Sequence, residues 1–205
     1  MYLPRHFDED DPGLLVEVMR KHNFATLVST VDGEHFASHV PVMSRYVEGA
    51  LEISGHLARA NPQWRGLESL PSALVIFQGP HTYISPTLYA GTNRVPTWNY
   101  VAVHASGHAV VNQDDDHKLS MLQHLISQHE PGYRAQFAAL EPAVLAGLTN
   151  AIVGFTVYVT RLQGKFKLGQ HRLAEDGAAM QAMHDAGNDD QRAIAAWMRQ
   201  LGYWT

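Results

Sequence analysis

Three segments hold the residues most able to do chemistry. Gly55-His56-Leu57-Ala58-Arg59-Ala60-Asn61-Pro62-Gln63-Trp64 leaves a strand through Gly55 and enters a short helical turn. Free N–H groups at the start of such a turn make a seat for an anion, and Arg59 can add a bidentate guanidinium. The same residues also read as a strand-to-helix connector with Arg59 in solvent. Lys165-Phe166-Lys167 is the second segment. In a strand, residues two apart share a face, so both ammonium groups project together while Phe166 faces the other way. Such a pair suits an anion, and it equally suits an exposed strand end with solvated lysines. The third set spans residues 77–86 and 95–100, where Tyr83, Trp98 and Tyr100 can flank a flat heterocycle. Gln78, Thr97 and Asn99 are then available to its carbonyls and nitrogens. Barrel core or a subunit interface would use the same aromatic residues.

The 13 histidines raise a metal or haem reading. His35 and His39 lie four residues apart on one strand, about 13 Å, too far to share a metal. His104 and His108 meet the same obstacle, and His117, His124 and His129 lack the short helical spacing of a zinc site. No metal is expected; haem through a single axial histidine stays as a rival. With no cysteine in the chain, disulfides, thiolate metal sites and thiol nucleophiles are excluded. Fifteen Lys and Arg against 20 Asp and Glu give a net charge of −5, so no global field draws in nucleic acid or anionic membrane. Helix-turn-helix spacing and a Lys/Arg-rich stripe are both missing, and direct DNA contact stays an open reading.

The elements that must position these residues follow from hydrophobic period and turn chemistry. Asp residues at 8–11 followed by Pro12 start a helix that runs to about Lys21. Residues 25–30 and 35–42 form a hairpin around Asp32-Gly33, where both residues tolerate positive φ. A turn at 46–49 leads to a strand over 50–54. Further strands are expected at 74–77, closed by Gly79-Pro80, and at 83–85 and 98–108, with a ligand-prone loop over 86–96. From Asp115 the period turns helical as far as Pro131-Gly132, with a second helix at 142–148. Strands return at 152–162 and 164–168. Two tail helices break at Gly187-Asn188, and the second carries an apolar stripe of Ile194, Trp197, Met198 and Leu201. Many short strands with hairpin turns and helices at defined places argue a mainly β, antiparallel barrel with peripheral helices. The N-terminus has no apolar run like a signal peptide's and no stretch is long enough to cross a bilayer. A soluble, cytoplasmic protein is expected.

Several long words in this chain resemble a known family. The blocks Ala37-Ser38-His39-Val40-Pro41, the 55–64 segment, residues 77–86 and residues 95–107 are similar to signature blocks of the PaiB family, within the FMN-binding split-barrel superfamily. The opening Met1-Tyr2 with Pro4, His6 and Phe7, and the late Lys165-Phe166-Lys167-Leu168, fit as well. The resemblance implies a PNP-oxidase-like split β-barrel over 1–171 with a helical C-terminal extension, 172–205, packing on the barrel or a partner subunit. It also implies a homodimer with FMN between subunits, acting as a negative transcriptional regulator or flavin-dependent sensor. An FMN-dependent oxidoreductase of a small molecule is the alternative, with His81, Tyr83 and Tyr100 able to exchange protons. Carried onto this sequence, the FMN phosphate lies near His56 and Arg59, with Ser38 and His39 from the neighbouring strand. Lys165 or Lys167 closes over the anion, and Gln78, Tyr83 and Trp98 meet the ring. One departure stands out: where the family pattern continues Ser-Gln-Asn, this chain has Gly169-Gln170-His171.

Overall fold

The computed structural model describes residues 1–89 and 95–204. Its strands are β1 (Asp8–Glu9), β2 (Phe24–Val31), β3 (Glu34–Val47), β4 (Ala50–Ala58), β5 (Ser72–Ile84), β6 (Thr97–Asn112) and β7 (Ile152–Lys167). Its helices are α1 (Pro12–Lys21), α2 (Gln63–Ser69), α3 (Asp115–His129), α4 (Arg134–Ala138), α5 (Pro142–Asn150), α6 (Leu173–Asp185) and α7 (Asp189–Gln200). Neighbouring strands follow the order β1-β7-β4-β3-β2-β5-β6, and β7 also pairs with β6. The strand order therefore closes on itself, as the split-barrel expectation required. No helix among the described residues is long and apolar enough to cross a membrane.

The chain forms two compact units, one of residues 1–18, 78–103 and 163–205, the other of residues 19–77 and 104–162. In the second unit the β2–β3 hairpin turns at Asp32 and Gly33, both at positive φ as their chemistry predicts. Leu27, Val42, Ile53, Leu57, Val75, Phe155 and Val157 alternate inward and are buried. Gly55 was expected to end its strand. Instead β4 runs on to Ala58, and Gly55 stands opposite Phe155, whose ring would lie 2.7 Å from any Cβ there. That glycine is required by a close approach, not by a turn. α2 is held onto the hairpin by Gln63, fully buried, whose amide nitrogen donates to the carbonyls of Leu27 (3.0 Å) and Phe36 (3.2 Å) and to Ser29 Oγ (3.1 Å).

In the first unit, Asp11 caps α1 by accepting from the Leu14 N–H, and β1 pairs with the end of β7, Asp8 opposite Lys165. β5 does not stop at Gly79-Pro80: both residues are buried and the strand continues to Ile84 with its in-out alternation shifted. The tail forms the two expected helices, with Asn188 and Gln191 making a capping box at the start of α7. Ile194, Trp197 and Met198 of the expected stripe are buried, Leu201 just beyond α7 is half-buried, and Trp197 meets Phe166 of β7 edge-on with ring centroids 5.3 Å apart. His184 of α6 is fully buried beside Trp204, 5.4 Å between centroids, with both ring nitrogens unpartnered.

Two consequences for stability follow. At Gly107 of β6 a Cβ would lie 2.1 Å from the Tyr158 carbonyl oxygen of β7. Gly107→Ala is expected to cost roughly 3 kcal/mol or more in urea denaturation, because backbone must move to admit the methyl group. Burial pushes the His184 imidazole down from 6.5 to about 4, so the unfolded chain takes up a proton that the folded chain refuses. Stability should be undiminished above about pH 6.5 and fall as the pH drops toward 4, by about 3 kcal/mol from this group. His184→Phe should remove that part of the acid-side slope in melts recorded across pH.

Candidate functional site

The residues expected at the phosphate corner all lie in the unit of residues 19–77 and 104–162. Arg59 follows the last residue of β4, and its side chain is engaged by the protein itself. Nε donates to the Asn150 carbonyl (2.5 Å), Nη1 to Gln113 Oε1 (3.1 Å) and Nη2 to the Ile152 carbonyl (3.0 Å). The turn's N–H groups are engaged too: Arg59 N donates to the Ala151 carbonyl, Asn61 N to the Ala58 carbonyl and Gln63 N to Asn61 Oδ1. Asn61 Nδ2 donates to Ser38 Oγ at 2.9 Å, which ties Ser38 to this turn. His39, one residue on, faces the other way, stacked on Phe24 and bonded through Nδ1 to Thr26 Oγ1 (3.1 Å). His56 is half-buried, and burial lowers its proton affinity. The structure thus brings Ser38 to the Arg59 turn but not His39, and it engages the Arg59 guanidinium and the N–H groups of residues 59, 61 and 63 internally.

The remaining expected contacts lie in the other unit. Tyr83 and Trp98 meet edge-on, ring centroids 6.3 Å apart, with His81 5.5 Å from Trp98. They are 48% and 49% exposed. Gln78 is also exposed, on the far side of the alternation shift at Gly79-Pro80. Lys165 is buried: Nζ donates to the Tyr2 carbonyl (2.9 Å) and lies 5.3 Å from the Tyr2 ring and 5.4 Å from that of Tyr100.

Lys167 lines a cavity of about 230 Å³ within the same unit, together with His6, Thr97, Asn99, His171 and Arg172. Its ammonium donates to Thr97 Oγ1 (2.5 Å) and to the Trp98 carbonyl. Burial, then the charges of Lys165 and Arg172, push the Lys167 ammonium's proton affinity down. Burial lowers that of His171 as well, followed by Arg172, His6 and Lys167. Arg172 Nε donates to His171 Nε2 at 3.1 Å, so the neutral imidazole carries its proton on Nδ1. Asn99 is 1% exposed, and its amide nitrogen has no hydrogen-bond partner. An orphaned buried donor costs about 1–3 kcal/mol.

Gly169 lines the same cavity at φ +78, where glycine is favoured, and a Cβ there would lie 3.1 Å from Met180 Cε and 3.5 Å from Asn99 Nδ2. Thr97, Asn99 and Lys167 had been named as candidate ligand contacts from sequence and His6 lies in the opening family motif, whereas Arg172 carried no signal. Among the described residues, no three His, Cys, Asp or Glu side chains gather as a metal site. Part of the 86–96 loop, residues 90–94, lies outside the described residues.

Residues 1–161 match the family described as "Putative FMN-binding domain". The protein "Protease synthase and sporulation protein PAI 2" of Bacillus subtilis is 35% identical over 178 residues, covering 86% of this chain and 85% of that one. Among solved structures, the flavocytochrome Anf3 from Azotobacter vinelandii superposes with a TM-score of 0.63 at 16% identity, over 80% of this chain and 72% of that one. The FAD and haem binding protein from Mycobacterium smegmatis does so with 0.61 at 20% identity, over 78% of this chain and 73% of that one. These two share the fold. The family match along most of the chain and the 35% identity to the B. subtilis protein lead to one conclusion: this chain belongs to the PaiB family of FMN-binding split-barrel proteins.

Proposed function

We propose that this protein is an FMN-binding, PaiB-like regulator or flavin-dependent sensor that acts as a homodimer and takes the flavin phosphate in the cavity of Lys167, Arg172 and Asn99. The carrying observation is the cavity itself, where Lys167 and Arg172 meet His6, His171 and the buried Asn99. An anion there offsets the burial and, after it, the neighbouring positive charges that lower proton affinity at Lys167. At about 230 Å³ the cavity is below the usual size for a whole cofactor but suits a phosphate and its linker. The isoalloxazine ring then lies outside it, and the exposed Tyr83–Trp98 patch is the surface offered to a ring or to a second subunit.

When bound, FMN supplies redox chemistry that no side chain here can. The chain's own part is to neutralise the phosphate and orient it. Of the earlier candidates, Lys167 keeps its role as an anion contact. Arg59 is reassigned: with its guanidinium on two carbonyls and Gln113, it ties the end of β4 to the start of β7. For the regulatory reading, α7 is a poor DNA-reading helix. Its apolar face is buried, and its two arginines pair with Asp189 (2.5 Å) and Asp185 (2.7 Å). A regulatory effect routed through flavin state or a protein partner fits these contacts better than direct base readout.

A visible spectrum of the purified protein, with and without added FMN, checks the cofactor. Flavin bands are expected; a Soret band would favour haem, and steady turnover of NADH or NADPH would favour the oxidoreductase. In flavin-fluorescence titrations, Lys167→Met should weaken FMN at least about tenfold and riboflavin hardly at all. Equal losses for both flavins would remove the phosphate from this cavity. Arg59→Ala should instead lower folding stability by about 1–3 kcal/mol, read in urea melts, with FMN affinity within about twofold of wild type.

A further inference from the structure

Where α3 packs on β3 and β4 there is a small cavity, wholly within the unit of residues 19–77 and 104–162, that has no part in the flavin reading. Its volume is about 10 Å³, close to the room that one water-sized sphere needs and too little for any larger ligand. Met43 of β3, His56 of β4 and Met121 of α3 line it, together with Pro41, Ser54 and Leu125. No carboxylate lines it. Spacing along the chain hides such a grouping, because its donors come from three different elements.

Met121 links this cavity to a second imidazole. A Cβ on Gly154 would lie 3.2 Å from Met121 Sδ and 3.6 Å from His117 Cδ2, so the thioether and the ring cover the same spot of β7. His117 and Met121 are four residues apart on α3, which puts them on one helical face. Nε2 of His117, the nitrogen bonded to that Cδ2, is buried with no hydrogen-bond partner. A neutral imidazole with its proton on Nδ1 offers Nε2 as a lone pair. Gly154 stands opposite His56 in the β4–β7 ladder, and opposed residues send their side chains to the same face. His56 therefore rises beside the spot that Met121 and His117 cover. Other polar groups nearby are engaged: Ser54 Oγ shares a hydrogen bond with Thr156 Oγ1 (3.4 Å), and the Lys118 ammonium pairs with Asp115 (2.6 Å).

We infer that Met43, His56, His117 and Met121 hold one copper(I) ion between α3 and the sheet. Thioether sulfur is a soft ligand that selects copper(I), and imidazole suits copper as well. All four donors are neutral, so a monovalent ion leaves the least uncompensated charge in a buried place. Zinc draws on thiolate, imidazole and carboxylate, and the two sulfurs here are none of these. Calcium and magnesium require oxygen ligands, which the cavity does not gather. An ion in this position joins α3 to β3 and β4, so its binding also stabilises the fold.

The test uses the full chain labelled with ¹³C-methyl methionine and titrated with silver(I), an air-stable stand-in for copper(I), in halide-free buffer. Of the seven methionines, only the methyl signals of Met43 and Met121 are expected to move, saturating at a single equivalent. Met43→Leu and Met121→Leu assign the two signals. In anaerobic competition with bicinchoninate the protein should take up a single equivalent of copper(I), and Met121→Leu and His117→Gln should each weaken its hold at least about tenfold. Leucine nearly preserves the volume of methionine, so metal-free Met121→Leu should melt close to the wild type. Copper(I) should raise the melting temperature of the wild type and not of that variant. Silver(I) that moves neither methyl signal would overturn the inference and leave both methionines as core packing. Undiminished copper(I) binding by the His117→Gln/Met121→Leu double variant would also overturn it, as would zinc(II) binding as tight as that of copper(I). None of these outcomes bears on the flavin reading, whose cavity belongs to the other unit.

Discussion

Closure of the sheet depends on β7, which pairs with β4 along residues 152–158 and also pairs with β6. The contact with β6 is possible only because residue 107 has no side chain, the Tyr158 carbonyl lying where a Cβ would be. Strands joined on both sides leave no free edge along that stretch, which removes a route to aggregation. Residues 163–167 of β7 belong to the other unit, where β1 pairs with them, Asp8 opposite Lys165. Phe166 is fixed by Trp197 on one face, and the lysines are thereby committed to the other.

Polar groups that look alike in sequence have opposite fates once folded. Arg59 and Gln63 have each been given acceptors by neighbouring strands and loops, and both serve to hold the second unit together. Asn99 is more deeply buried than Arg59, yet its amide nitrogen has no partner. Buried donors are nearly always satisfied. Asn99 lines a cavity that also holds Lys167 and Arg172. An arginine in a conspicuous motif is therefore no guide by itself to a binding site.

Departures from local expectation have a shared cause. Gly55 and Gly79-Pro80 look like strand ends because glycine and proline usually punctuate a chain. Both lie inside strands, since Phe155 and Val101 come so close that no larger residue fits at either glycine. α4 went unforeseen because five residues carry too little pattern to signal a helix. The short-range signals, by contrast, held: Asp11 caps α1 through the Leu14 N–H, Asp32-Gly33 turn the hairpin at positive φ, and the tail helices break at Gly187-Asn188.

By itself the sequence determined what depends on near neighbours and on long matching words: the turns, the helix caps, the alternation of the strands and the family. It also offered Thr97, Asn99 and Lys167 as candidate ligand contacts. Only the tertiary structure decided which donors were already satisfied. Arg59 meets carbonyls 91 and 93 residues away, whereas Asn99 meets none. Whether a side chain is available depends on acceptors brought from distant parts of the chain, and no local pattern encodes those. The meeting of His6 with Lys167 and Arg172 has the same origin, because the pairing of β1 with β7 brings the two ends of the chain together.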